Sequence, residues 1–182
     1  MSRLIERLVI VVASLAVSIG VIAFLSGGLL VGHDTPGING AGSAPGVSYP
    51  DQGAAQLRPG DLEPVYDSNP PTSGPHVPVP ITNNGAQLTN YQLLQALQVG
   101  DVVFMYGARQ PPSGLASLAS SIAPFTPSLA ATGGAIVLAT RPGTSGVIAL
   151  AWTRMLRAPD ASDPALRNFA EYWLGRGYAH PR

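Results

Sequence analysis

From Leu8 to Leu25 the chain carries no charge, and the apolar run continues to Val31. About 20 such residues at a rise of about 1.5 Å cross a hydrocarbon core of about 30 Å, so the run predicts one membrane-spanning helix. The competing reading is a cleaved signal peptide, which needs an apolar core of only about 7–15 residues and a small-residue cut site. This run is longer, and "FLSGGLL" makes a poor cut site. Arg3 and Arg7 precede the span and the next arginine is Arg58. That asymmetry puts the N-terminus in the cytoplasm and everything after Val31 on the extracytoplasmic side of a cell membrane. Residues 1–31 therefore read as a cytoplasmic N-terminus and a single-pass helix in contact with the lipid bilayer.

The apolar content of 46% is drawn heavily into that run, which leaves a modest domain behind it. Ten acidic groups balance ten basic ones. With no net charge and no lysine, nothing suits the chain to a nucleic-acid polyanion. The absence of cysteine removes disulfides, thiolate zinc sites and iron–sulfur ligation together.

Residues 32–64 are punctuated by Gly and Pro, show neither helical nor strand periodicity, and read as a linker. Residues 65–182 carry the elements of an α+β layer domain with a short sheet and two to three helices. In "LTNYQLLQALQVG", Thr89 and Gln92 form a capping box, Tyr91, Leu94 and Leu97 share a face, and Gly100 ends the helix. "DVVFMY", from Asp101 to Tyr106, has strand composition. "SGLASLASSIAPF" reads as a short Ser-capped helix. Around "RPGTSG", Gly134–Thr140 and Gly146–Leu156 read as a hairpin. Finally, "SDPALRNFAEYWLG" places Ser162 or Asp163 as N-cap and Pro164 in the first turn. Its core stripe is Leu166, Phe169, Ala170 and Trp173, and Gly175 is the stop.

Between linker and first helix lies "VYDSNPPTSGPHVPVP". Prolines at 64, 70, 71, 75, 78 and 80 fix φ and bias their predecessors to extended backbone, so Glu63–Pro80 reads as a stiff strap with a bend at Gly74. A strap of this kind lies across its own domain or a neighbouring subunit with little entropy left to lose. Pro70, Pro71, Pro75, His76 and Pro78 are accordingly the expected partner contacts.

The string "NPPTSGPH", the joint "LLQALQVGDVVFMY" and the closing "ALAWTRML" and "DPALRNFAEYWLGRG" together resemble the bacterial family known as domain of unknown function 3105, over about Asp61 to Arg182. The resemblance implies one N-terminal membrane helix, an extracytoplasmic domain and no established reaction. In the family pattern the first helix ends H-S-L-E-H-G, which would place two imidazoles and a carboxylate opposite the strap histidine, a believable metal or acid–base set. Here the corresponding residues are Gln95, Ala96, Leu97, Gln98, Val99 and Gly100. Glutamine is neither an anionic ligand nor a proton-transfer base, and valine offers no polar atom, so only His76 of that set survives.

His76 could bind a metal with Asp67, Asp101 or a partner's side chain, but a bond to the backbone of its own loop is the plainer expectation. His33 suits a membrane-exit contact and His180 a solvated tail. Ser73 with His76 lacks the G-x-S-x-G setting of a hydrolase, and the hydroxyls of Thr72 and Ser73 fit turn bonding to nearby backbone better. Asp160, Asp163 and Glu171 read as loop, cap and solvated helix face, and Trp152 and Trp173 as core. The chain thus reads as a non-enzymatic accessory or structural subunit of a larger membrane complex, with no cofactor or metal of its own. An energy-converting or electron-transfer assembly is the setting in view. The alternative is a membrane-tethered metal-binding or enzymatic domain using His76.

Overall fold

A computed structural model describes residues 44–178 of the chain. The expected span, His33 and His180 lie outside the described residues, and among the described residues no helix is long and apolar enough to cross a membrane. In order, the elements are β1 (Val47–Ser48), α1 (Asn90–Val99), β2 (Val102–Tyr106), α2 (Leu115–Ile122), α3 (Pro127–Ala130), β3 (Ile136–Thr140), β4 (Val147–Ala151), β5 (Arg154–Ala158) and α4 (Pro164–Trp173). The fold is α+β. One sheet runs β1-β5-β4-β2-β3, with β2 and β3 parallel and every other neighbour antiparallel.

Both faces of this sheet are apolar, so β2 and β4 are buried along their whole length. One face carries Phe104, Leu138 and Ala149 against α2 and α4, where Leu115, Leu166 and Phe169 are fully buried. The other carries Val103, Met105, Val137, Ile148 and Leu150 against Leu93, Leu94 and Leu97 of α1. Removing each such side chain from water contributes about 1.5–3 kcal/mol. α1 alone does not cover the second face, and Ala130 of α3 together with Tyr49, Ala54, Tyr66 and Ile81 from irregular chain completes it.

The helix ends follow local chemistry. Thr89 Oγ1 accepts from the Gln92 amide at 3.2 Å while Gln92 Oε1 accepts from the Thr89 amide at 3.0 Å, and Gly100 closes α1 at φ 115°. Asp163 caps α4 by accepting from the Ala165 amide at 2.9 Å, with Pro164 in the first turn. The expected Ser cap of α2 is absent. Gly114, in the left-handed region, holds that position without a side-chain bond. The four-residue α3, capped by Thr126, has too few residues to show periodicity.

The expected hairpin is corrected. The strands flanking "RPGTSG" are not paired with one another, because β2 lies between β3 and β4. The connection crosses the end of β2, where the Arg141 amide donates to the Tyr106 carbonyl at 2.8 Å. A Cβ on Gly107 would collide there with the Thr144 carbonyl oxygen. The true hairpin divides the expected second strand into β4 and β5 about Trp152 and Thr153, and Thr153 has φ 59°. Two tertiary bonds hold this turn: the Thr153 amide donates to the Thr72 carbonyl, and the Tyr49 amide to the Thr153 carbonyl, both at 2.9 Å.

The stretch read as linker also departs from expectation over its described part. Val47 and Ser48 pair with Met155 and Arg154, the Trp173 indole donates to the Pro45 carbonyl at 2.8 Å, and Gln56 forms a bridge with His76. Two residues of strand are too few to leave an alternating signature in sequence.

Because the colliding atom at position 107 is backbone and cannot swing aside, Gly107→Ala is expected to lower the unfolding free energy by about 1–3 kcal/mol in a urea titration. An unchanged midpoint would mean that the connection does not pass there.

Candidate functional site

The strap keeps its expected bend, with Gly74 at φ 134° and the Tyr66 ring where a Cβ would stand. Its placement corrects the expectation of a contact surface. Pro70, Pro71, Thr72, Ser73 and His76 are buried inside this domain, Pro75 is half-buried, and of the five expected contacts only Pro78 is exposed. Tertiary need overrides stiffness here: the strap covers the sheet face that α1 leaves open. Ser73 and Thr72 bond differently from expectation too. Ser73 Oγ donates to the Pro50 carbonyl at 3.0 Å and accepts from the Gln52 amide at 3.1 Å, tying the strap to chain far away in sequence. Thr72 Oγ1 lies 3.2 Å from Ser68 Oγ.

His76 is 1% exposed, and its Nδ1 lies 2.9 Å from the Gly74 carbonyl. A carbonyl only accepts, so Nδ1 carries a proton. Nε2 is buried and finds no donor among the described residues. The His76 backbone is fixed as well, its amide donating to Ala55 and its carbonyl accepting from Leu57. Among the described residues no three His, Cys, Asp or Glu side chains converge on a point that could hold a metal ion.

Beside the strap lies a cavity of about 170 Å³. Pro78, Pro80 and Ile81 form one wall, Gln95, Ala96 and Val99 of α1 another, and Ala130 and Ala131 a third, with Asp101 at the start of β2. Gln95 and Val99 both reach this cavity, whereas Gln98 and His76 are not in its walls. Asp101 is 1% exposed. Its Oδ1 accepts from the Ala135 amide at 2.9 Å, fastening the start of β2 to the chain entering β3, while Oδ2 finds no donor among the described residues. Gln95 Oε1 is likewise buried and unpaired. Burial pushes the Asp101 carboxyl from 3.8 up to about 7, against the opposing pull of the Ala135 amide.

Asp101 was visible in sequence only as one conceivable metal partner for His76. The signal that marks it is an acidic residue directly between a helix-stopping glycine and five apolar strand residues. Asp67, the other conceivable partner, is exposed.

A second concavity, of about 740 Å³, lies between the β4–β5 turn and the end of α4. Here Arg154 stands over the Trp173 ring at 5.0 Å and Arg176 over the Tyr172 ring at 4.2 Å. Trp152 meets Tyr178 edge-on at 5.4 Å. Tyr172 and Tyr178 are 37% and 44% exposed, and Ala44, where the described chain begins, is part of the wall. The expectation of core tryptophans holds for Trp152, at 6% exposed, while Trp173 is only half-buried.

The sign of the Asp101 shift dictates a pH effect. Its folded carboxyl holds the proton more tightly than its unfolded one, so the stability it lends is complete below about pH 4 and is lost as pH rises to about 7. Relative to Asp101→Asn, the wild type is expected to lose on the order of 4 kcal/mol across that window, read by urea unfolding at a series of pH values. Parallel profiles for the two proteins would refute the buried-carboxyl assignment.

The family model described as Protein of unknown function (DUF3105) matches residues 62–181, and the chain belongs to that family. No curated protein and no solved structure matches the chain.

Proposed function

We propose that this member of the family of unknown function 3105 is a non-catalytic accessory subunit of a membrane complex. It is tethered by its N-terminal apolar run and docks on the extracytoplasmic side through the face around Tyr172, Trp173, Arg176 and Tyr178. The observation that carries the reading is the arginine–aromatic stacking on that face. Two guanidiniums lie against the rings of Trp173 and the exposed Tyr172, beside the exposed Tyr178, in a groove that includes Ala44. Aromatic and arginine side chains held rigid in a depression are the residue types that anchor protein interfaces, because little side-chain entropy remains to be lost on binding.

Two further facts support a docking role over a catalytic one. The positions at which the family pattern holds histidines and a glutamate carry Gln95, Gln98 and Val99, none able to act as a base. Asp101, the one strongly shifted acid among the described residues, stands in a cavity whose other walls there are apolar apart from one amide, so no second proton-handling group of the described residues lines it. That arrangement suits binding more than turnover.

Purification of the full chain from its native membranes in mild detergent tests the proposal. Stable partner subunits are expected to co-purify, and Tyr172→Ala combined with Arg176→Glu is expected to cut their recovery at least about tenfold, in line with about 1.4 kcal/mol or more of lost contact, without moving the thermal midpoint. Recovery of a lone monomer contradicts it. So does bound metal at unit stoichiometry that disappears in His76→Ala, which would favour the alternative of a His76 metal site.

A further inference from the structure

We propose that the cavity between the strap and α1 is a binding site for a primary alkylammonium group, with the cationic nitrogen seated between Asp101 Oδ2 and Gln95 Oε1. The site is distinct from the docking face and does not depend on it. Both unpaired polar atoms at this cavity are acceptors, one on a carboxyl and one on an amide. Once its proton is lost, the Asp101 carboxylate only accepts, whereas an ammonium brings three donors and a charge opposite to that of the carboxylate. A metal cation fits less well, since one carboxylate oxygen and one amide oxygen fall short of the oxygen shell that calcium or magnesium requires.

The remaining surface sets the rest of the ligand. The side chains of Pro78, Pro80, Ile81, Ala96 and Val99 are hydrocarbon. A cavity of about 150 Å³ holds one benzene, so the 170 Å³ here admits a ligand of about six heavy atoms, the size of a short alkylamine. Pro78, Pro80 and Ala131 are exposed and form the rim, while Asp101, Ala96 and Ala130 are buried and form the floor. Asp101 Oδ2 and Gln95 Oε1 are themselves closed to solvent. Gln95 is half-buried and long, so a rotamer change of its side chain opens the way to Asp101 Oδ2 and lets its amide oxygen accept from the nitrogen.

Charge fixes a pH signature. Asp101 is the one titratable group among the residues that line the cavity; the strap, α1 and the end of α3 present none. Its carboxyl must give up a proton to receive the ammonium, so affinity is expected to rise about tenfold per unit as pH increases toward about 7 and to level off above it.

The same chemistry is available from a free amine or from a lysine side chain of another protein, and this chain has no lysine of its own. Isothermal titration of the detergent-solubilised full chain with n-butylammonium, Nα-acetyl-lysine amide and neutral n-butanol separates the cases. Saturable one-to-one binding is expected for an ammonium and not for the alcohol. Binding of butylammonium alone marks a free amine, and equal or tighter binding of the lysine derivative marks a side chain; either supports the site. Asp101→Asn is expected to weaken binding at least tenfold. Ala131→Trp, which blocks the rim from an exposed position, is expected to weaken it similarly in a protein whose unfolding is unchanged. Failure of both amines to saturate, equal binding of n-butanol, or affinity untouched by either substitution overturns the proposal.

Discussion

A sheet that is apolar on both faces must be covered on both, and this chain supplies two helices for one face but, for the other, only α1 and Ala130 of the four-residue α3. The rest of the architecture answers that shortage. The second face is closed largely by chain without regular structure, residues 49–57 and the proline strap, and such chain brings a difficulty of its own. Each backbone amide it buries must find a partner or costs about 1–3 kcal/mol. Proline has no amide to satisfy, so a strap rich in proline is a cover with fewer donors to place. The amides and carbonyls that remain are placed one by one: Thr72 against Thr153, His76 against Ala55 and Leu57, and Tyr66 hydroxyl to Pro75 at 2.9 Å.

The polar residues of the strap take their roles from this task. Ser73 stitches two irregular segments together, and His76 closes its own bend at Gly74. In catalytic dress the pair would resemble nucleophile and base, yet each hydroxyl and each N–H assigned here is already engaged by backbone. Polar atoms without partners among the described residues lie next to the strap, on Asp101 and Gln95. Asp101 joins both roles, since one oxygen fastens β2 to the entry of β3 and the other remains for the cavity.

Legibility in sequence followed the range of the forces involved. The capping box at Thr89 and Gln92, the glycine stop at Gly100 and the Asp163–Pro164 start of α4 rest on bonds within one helical turn, and each could be read directly. The bend at Gly74 was equally local. The β4–β5 turn was not, for Trp152 and Thr153 carry no turn chemistry, and the left-handed Thr153 is held by Thr72 and Tyr49 from distant chain. The pairing of β4 with β2 in place of β3 depends on a glycine whose missing side chain matters only once another segment crosses it. Burial of Pro70, Pro71 and His76 was hidden for the same reason, and the cavity beside Asp101 exists only after strap, α1 and α3 have met.

Native-state hydrogen exchange tests most directly whether the strap is part of the fold. If it is the permanent cover of the second face, the amides of His76, Leu57 and Thr153 open only with the amides of β4, at the free energy of global unfolding. Exchange of those three amides orders of magnitude faster than β4, in a protein that otherwise stays folded, would show a detachable flap and contradict the account.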